Sequence, residues 1–330
     1  MPSIWEKTVK RKLALLAAPA LLFAVACGAD DDGGGGGSGG GSGELDEITV
    51  GVIPIVDVAP IYLGEQQGFF EDQGIDLTLE TAQGGAAVVP GVLSDQFQFG
   101  FSNVTSLLVA AQEGLPLQVV ANGVASTGEQ GADFGAVVAK PESGITDAAG
   151  LAGKRVAVNT LNNIGTTTIN ESIRAAGGDP SSVQYVELPF PDMPAALDAG
   201  NVDAIWVVEP FLTIATEGGA TAVASNYVDA ADDLTVAVYF TSRQFAAENA
   251  DLVERFTAAL EQSLEYASQN EDETRAVLTS YTQIDQAVID AMTLPAWPAE
   301  INRESIERLG DLAVDDGLLD EAPDLDGLLP

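Results

Sequence analysis

The 330-residue chain contains no histidine, a single cysteine and only 13 lysines and arginines. Without histidine there is no Ser-His-Asp or Cys-His relay, and without a second cysteine there is no internal disulfide and no His/Cys zinc site. Only carboxylate, lysine or hydroxyl chemistry is left to an enzyme. Against the few cations stand 50 acidic residues, a formal net charge of −37. Lys7, Lys10, Arg11 and Lys12 all lie before residue 27 with Glu6, so the remainder holds 9 basic residues against 49 acidic ones. A surface this acidic repels phosphate backbones and anionic headgroups, which argues against nucleic acid as a partner and against membrane binding through a basic patch. It suits a saline or alkaline habitat. With 46% hydrophobic residues the chain has ample material for a packed core and is long enough for two domains.

No apolar run is long enough to span a bilayer. The longest near the start, LALLAAPALLFAVA at 13–26, follows the basic stretch EKTVKRK and has 14 residues where about 20 are needed. It reads as a signal peptide over residues 1–26. Ala24, Val25, Ala26 and Cys27 then resemble the lipobox of bacterial lipoproteins, in which the cysteine is acylated and becomes the mature N-terminus, although Ala24 stands where leucine is preferred. From Gly28 to Gly43 the chain reads GADDDGGGGGSGGGSG, which has no apolar side chain larger than alanine to offset the entropy of ordering. Residues 27–46 are therefore expected to be a lipid-anchored flexible linker with a reach of roughly 20–25 Å. Its Gly36-x-Ser38-x-Gly40 match to a nucleophile elbow has no flanking strand or helix and no histidine to serve it.

From Glu47 short apolar runs alternate with helical patterns: EITVGVI, DLTLE, FQFGF and LQVVANG, with helices near 60–70, 85–94 and 103–112. The rhythm repeats after residue 134 in FGAVVAK, KRVAVN, VQYVEL and DAIWVVE. Such alternation predicts α/β sheets with substantial parallel pairing. One more strand, LTVAVYF at 234–240, precedes a helical remainder in which Leu252, Phe256, Leu260 and Leu264 recur every four residues and Asn249 is placed as N-cap. Helices without strands of their own must pack on a lobe already built. The expected organisation is two lobes, residues 47–130 with 238–330 and residues 131–237, joined by two crossings with a cleft between them.

The run GVIPIVDVAPIYLGEQQGFFEDQGIDLTLE resembles the opening of periplasmic substrate-binding proteins of the nitrate, taurine, alkanesulfonate and thiamine-precursor group. Gly84-Gly85 before a helix, LAGKRVAVN at 151–159, DAIWVVEPF at 203–211 and FAAENADLVERFTAAL at 245–260 extend the resemblance over nearly all of residues 47–300. It implies a two-lobed periplasmic-binding-protein fold, type II-like, with two interlobe crossings. It implies the function of an extracytoplasmic solute-binding lipoprotein of an ABC importer, monomeric, without a cofactor, and anchored on the periplasmic side or outer face of the membrane.

In open α/β sheets ligands sit beyond the carboxyl ends of the strands, among loops and helix N-termini. This rule, with the family's habit of placing ligand contacts there, selects Asp57, Ser102, Asn103, Thr127, Asn159, Thr160, Thr166, Glu209 and Tyr239. Asp57, Ser102 and Thr166 also stand where helix caps are expected. Glu209, between a buried strand and Pro210, is read as a carboxylate facing the cleft, and Trp206 as core packing. With cations scarce near these loops, Asp57 and Glu209 favour a neutral or N–H-bearing small organic molecule, while helix N-termini leave a small anion such as nitrate or a sulfonate open. Two other functions share the pattern. One is a ligand-sensing module for a membrane receptor. The other is an enzyme related to pyrimidine-precursor synthases, which consume a histidine that this chain lacks.

Overall fold

A computed structural model describes residues 45–330. The signal peptide, Cys27 and the Gly28–Gly43 tether lie outside the described residues. Ten strands form two five-stranded sheets. The first contains β1 (Asp46–Val52), β2 (Ile75–Thr81), β3 (Phe99–Asn103), β4 (Leu117–Ala125) and β10 (Thr235–Ser242), in the order β2-β1-β3-β10-β4. The second contains β5 (Gly135–Ala139), β6 (Arg155–Val158), β7 (Gln184–Glu187), β8 (Ala204–Val208) and β9 (Thr221–Ala224), in the order β7-β6-β8-β5-β9. Both sheets have one plan: three parallel strands, then the strand arriving from the other lobe, antiparallel to both of its neighbours.

Burial follows position in the sheet. β3, β5, β8 and β10 are buried at every residue, and β5 and β8 read as continuous apolar runs, the pattern of strands covered on both faces. The edge strand β2 alternates, with Leu77 and Leu79 turned toward the core and Asp76, Thr78 and Glu80 toward solvent. The helix Ala250–Gln269 buries Phe256, Leu260 and Leu264. Phe256 stacks on Phe99 of β3 with ring centroids 3.8 Å apart, which seats this C-terminal helix on the first sheet.

Two chain segments cross between the lobes. The first, 126–134, is knotted by Asp133, which accepts hydrogen bonds from Ser126 Oγ (2.6 Å), the Thr127 amide (2.9 Å) and the Phe134 amide (2.9 Å). The second, 231–234, lies beside it, and the Ser126 amide donates to the Leu234 carbonyl at 2.9 Å. The first sheet takes in the returning chain from Thr235, three residues before the position 238 expected from sequence. Two elements escaped the sequence reading: β9, a four-residue edge strand, and the short helix Asn226–Ala230. Asn249 precedes its helix as expected, but its side chain turns back to the Phe245 carbonyl at 3.1 Å and does not cap.

Candidate functional site

The carboxyl ends of β1, β3, β6 and β8 face one another across the lobes and enclose a small cavity of about 30 Å³. From the first lobe come Ile53, Asp57, Phe101 and Asn103, and from the second Asn159, Asn163, Phe190, Trp206 and Tyr227. The lobes touch around it, the Val56 amide donating to the Glu209 carbonyl at 3.2 Å and the Thr293 amide to Glu209 Oε1 at 3.1 Å, so they stand drawn together and must part to admit a guest. At the cleft edge Gly84 of the first lobe meets the second so closely that a Cβ there would lie 2.7 Å from Thr160 Oγ1.

Asp57 sits in the turn Val56–Val58 directly after β1 and is 3% exposed. Its Oδ1 has no hydrogen-bond partner. Burial pushes the carboxyl from its ordinary 3.8 to about 7, opposed in part by its own backbone N–H and reinforced by the nearby Asp133. The turn is held from behind by the Trp297 indole, which donates to the Asp57 carbonyl at 3.1 Å. Trp206, a core residue by its sequence pattern, lines the cavity too, and its buried Nε1 is likewise unpartnered. An acceptor and a donor therefore stand unsatisfied on opposite walls, and leaving either so costs free energy.

Asn103 and Asn163 cap the helices Val104–Gln112 and Ile164–Ala175, whose N-termini point at the cavity. Asn103 Oδ1 accepts from the Ser106 amide at 2.9 Å and Asn163 Oδ1 from the Gly165 amide at 3.0 Å. Asn159 accepts from the Asn163 side chain at 3.3 Å.

Other residues expected at the site stand away from the cavity. Thr166 completes the capping box of its helix with Asn163, and Ser102 lies fully buried beneath Gly85. Thr127 belongs to the Asp133 knot. Tyr239 is 1% exposed in the first lobe, packed edge-on to Phe101 at 5.2 Å, because its place in β10 turns it to the face that carries Phe256. Glu209 departs most from expectation. Its Oε2 accepts from the Thr213 amide (3.0 Å), and its Oε1 from Thr213 Oγ1 (2.9 Å) and the Thr293 amide (3.1 Å). Its carbonyl accepts from the Val56 amide at 3.2 Å. Both carboxylate oxygens are thus committed to protein, holding the helix Phe211–Glu217 and bridging to the segment after the helix Gln286–Ala291. Burial raises its pKa, and these hydrogen bonds and Arg275 oppose the rise.

Sequence reasoning missed Phe190, Tyr227 and Asn163. The first two look like core in an apolar pattern. Asn163 carried a readable signal, since Asn163-x-x-Thr166 before an apolar stretch is a helix-start pattern.

Two similarly wound α/β lobes with a cavity at their facing strand ends define the two-lobed fold of periplasmic binding proteins. The chain belongs to the NMT1/THI5 like family, whose model matches residues 55–274. It is 22% identical over 284 residues to a Bacillus subtilis (strain 168) protein provisionally designated an aliphatic sulfonates-binding protein, covering 84% of this chain and 81% of that one. It is 25% identical over 192 residues to the taurine-binding periplasmic protein of Escherichia coli (strain K12), covering 57% and 56%. Its fold matches the alkanesulfonate-binding protein SsuA from Xanthomonas axonopodis pv. citri bound to MOPS, with TM-score 0.72 and 16% identity over 88% of this chain and 99% of that one. It also matches the periplasmic nitrate-binding protein NrtA from Synechocystis PCC 6803, with TM-score 0.75 and 13% identity over 87% and 86%.

Proposed function

We propose that the chain is the solute-binding lipoprotein of an ABC importer, held outside the cytoplasm by a lipid on Cys27 and delivering a captured small molecule to a membrane permease. The observation that carries this reading is the cavity closed between two similarly wound lobes, with Asp57 Oδ1 and Trp206 Nε1 both buried and unpartnered there. Ligand would shift an open–closed equilibrium without being changed. The sulfonate, taurine and nitrate binding named for the relatives supports the class of function. We place the hinge at the paired crossings 126–134 and 231–234, which sets the second lobe limit at Thr235, not 238.

The test is to purify the full chain from its native membrane, denature it and identify the released small molecule by mass spectrometry. Returned to fresh protein, that molecule should bind stoichiometrically, tighten the scattering profile relative to the opened apo form, and be recovered unaltered. A new product would favour the enzyme reading. Membrane release of a Cys27→Ser variant checks the anchor.

A further inference from the structure

We propose that the inter-lobe cavity receives a small organic cation carrying at least one N–H group, with Asp57 as its counter-ion; this rests on reading the chain as a solute-binding protein. Four observations carry the assignment. Asp57 lines the cavity at 3% exposure with Oδ1 unpartnered, so it offers a buried acceptor that no protein donor reaches. Among the described residues no lysine or arginine lines the cavity. Arg174 is spent on Asp316, and Arg275 on the Ile289 and Met292 carbonyls. Finally, Phe101, Phe190, Trp206 and Tyr227 line the same space, and aromatic faces attract cations and repel anions.

The two helix N-termini at the cavity would ordinarily favour an anion. Here Asn103 takes the Ser106 amide and Asn163 the Gly165 amide, and the cavity's side-chain donors among the described residues are neutral ones, the fully buried and unpartnered Trp206 Nε1 with the Asn159 amide and Tyr227 hydroxyl. A sulfonate would meet these neutral donors with no cationic side chain among the described lining residues to neutralise it and with the Asp57 carboxylate beside it to repel it.

The surroundings of Asp57 give the binding a pH signature. The ionisable groups that act on or sense it are Asp133 from the first crossing, Tyr227 from the helix Asn226–Ala230, Tyr239 from β10 and Tyr281 from the helix Glu271–Tyr281. None is cationic, and the pKa near 7 reflects that uncompensated burial. A bound cation favours the ionised carboxylate, so its affinity rises with pH through 7. An anion's affinity falls.

The experiment is calorimetry on the purified full chain at pH 6 and 8 with two matched sets: benzamidine, benzamide and benzoate, and propylamine against propanesulfonate. The expected result is that the cations bind at least tenfold tighter than their neutral and anionic counterparts and gain about tenfold in affinity from pH 6 to 8, the change in ionised fraction for a group titrating near 7. Asp57→Asn, checked for an intact thermal transition, should abolish both the preference and the pH dependence. Tightest binding by the anions, affinity that falls with pH, or an Asp57→Asn variant that behaves like wild type overturns the cation assignment and leaves solute binding standing. Silence from the cations alone also overturns it. Silence from every probe, together with no released molecule in the mass spectrum, overturns the solute-binding reading as well.

Discussion

A carboxylate held in an apolar cleft without a counter-charge works against folding, and the cost is measurable through pH. Burial holds the Asp57 carboxyl at about 7 in the folded chain against its ordinary 3.8. Between those values the folded state binds more protons, so its relative stabilisation is complete below about pH 4 and is lost as pH rises through about 7. At about 1.4 kcal/mol per unit, the penalty at pH 8 is about 4 kcal/mol as an upper bound. Asp57→Asn should therefore be more stable than wild type by about 2–4 kcal/mol at pH 8 and nearly equal to it at pH 4, as read from urea melts at both pH values. Glu209 and Asp316 are raised as well, but their slope persists in the variant and cancels in the difference, whereas Asp133 repels Asp57 and its share of the shift goes with the substitution. An unchanged difference across pH would show that Asp57 is compensated. At this scale the sequence is half legible. The strand-end rule locates loops, and Asp57, Asn103 and Asn159 do stand at the cavity. It does not reveal where a side chain is already spent: Glu209 is spent on Thr213 and Thr293, Thr127 on Asp133, and Thr166 on its own helix start. Nor does it separate a cavity aromatic from a core aromatic, because Trp206 and Tyr227 are as buried as any core residue.

Strands and helices were more legible than side chains because their signals are local. The apolar runs at β1, β5, β8 and β10 and the four-residue spacing of Leu252 to Leu264 are periodicities of the backbone itself. β9 was missed because TAVA is too short to show a period, and its strand identity comes from pairing with β5. How elements meet across the cleft is tertiary information, and Gly84 is its clearest case. Its φ of −174° is open to any residue, so Gly84→Ala adds no backbone strain within the first lobe. The new Cβ would lie 2.7 Å from Thr160 Oγ1, and only the closed arrangement brings the two together. Gly84→Ala should keep the wild-type melting transition, enlarge the radius of gyration and weaken probe binding by about tenfold. Adding Thr160→Ala should restore both. Scattering and calorimetry on the single and double variants check this, and an unaffected single variant would mean that closure does not need this contact.

At the scale of the whole molecule the imbalance of charge decides how salt acts. Six of the nine described basic residues, Lys140, Arg155, Arg174, Arg255, Arg303 and Arg308, are engaged in ion pairs. Two of those pairs join the lobes: Arg174 with Asp316, and Arg308 with Glu171 at 2.7 Å, tying the helix Ile164–Ala175 of the second lobe to the C-terminal helix Arg303–Asp315 and the turn after it. Exposed pairs contribute about 0–1 kcal/mol each and lose it on screening. The opposing effect is collective. At a net charge of −37 most acidic groups have no cationic partner, and their mutual repulsion acts over distances that a Debye length of about 10 Å at 0.1 M salt leaves partly unscreened. At 1 M that length falls to about 3 Å and the repulsion collapses, while Asp316, 5% exposed, and Glu171, 16% exposed, are shielded from solvent and keep more of their attraction. Sodium chloride raised from 0.05 to 1 M should therefore raise the Tm, by roughly 3–5 °C if about 2–3 kcal/mol of repulsion is removed. The same screening should shrink the apo radius of gyration, because like-charged lobes then approach at lower cost. A Tm that falls with salt would show that the few ion pairs outweigh the repulsion of the many unpaired acids.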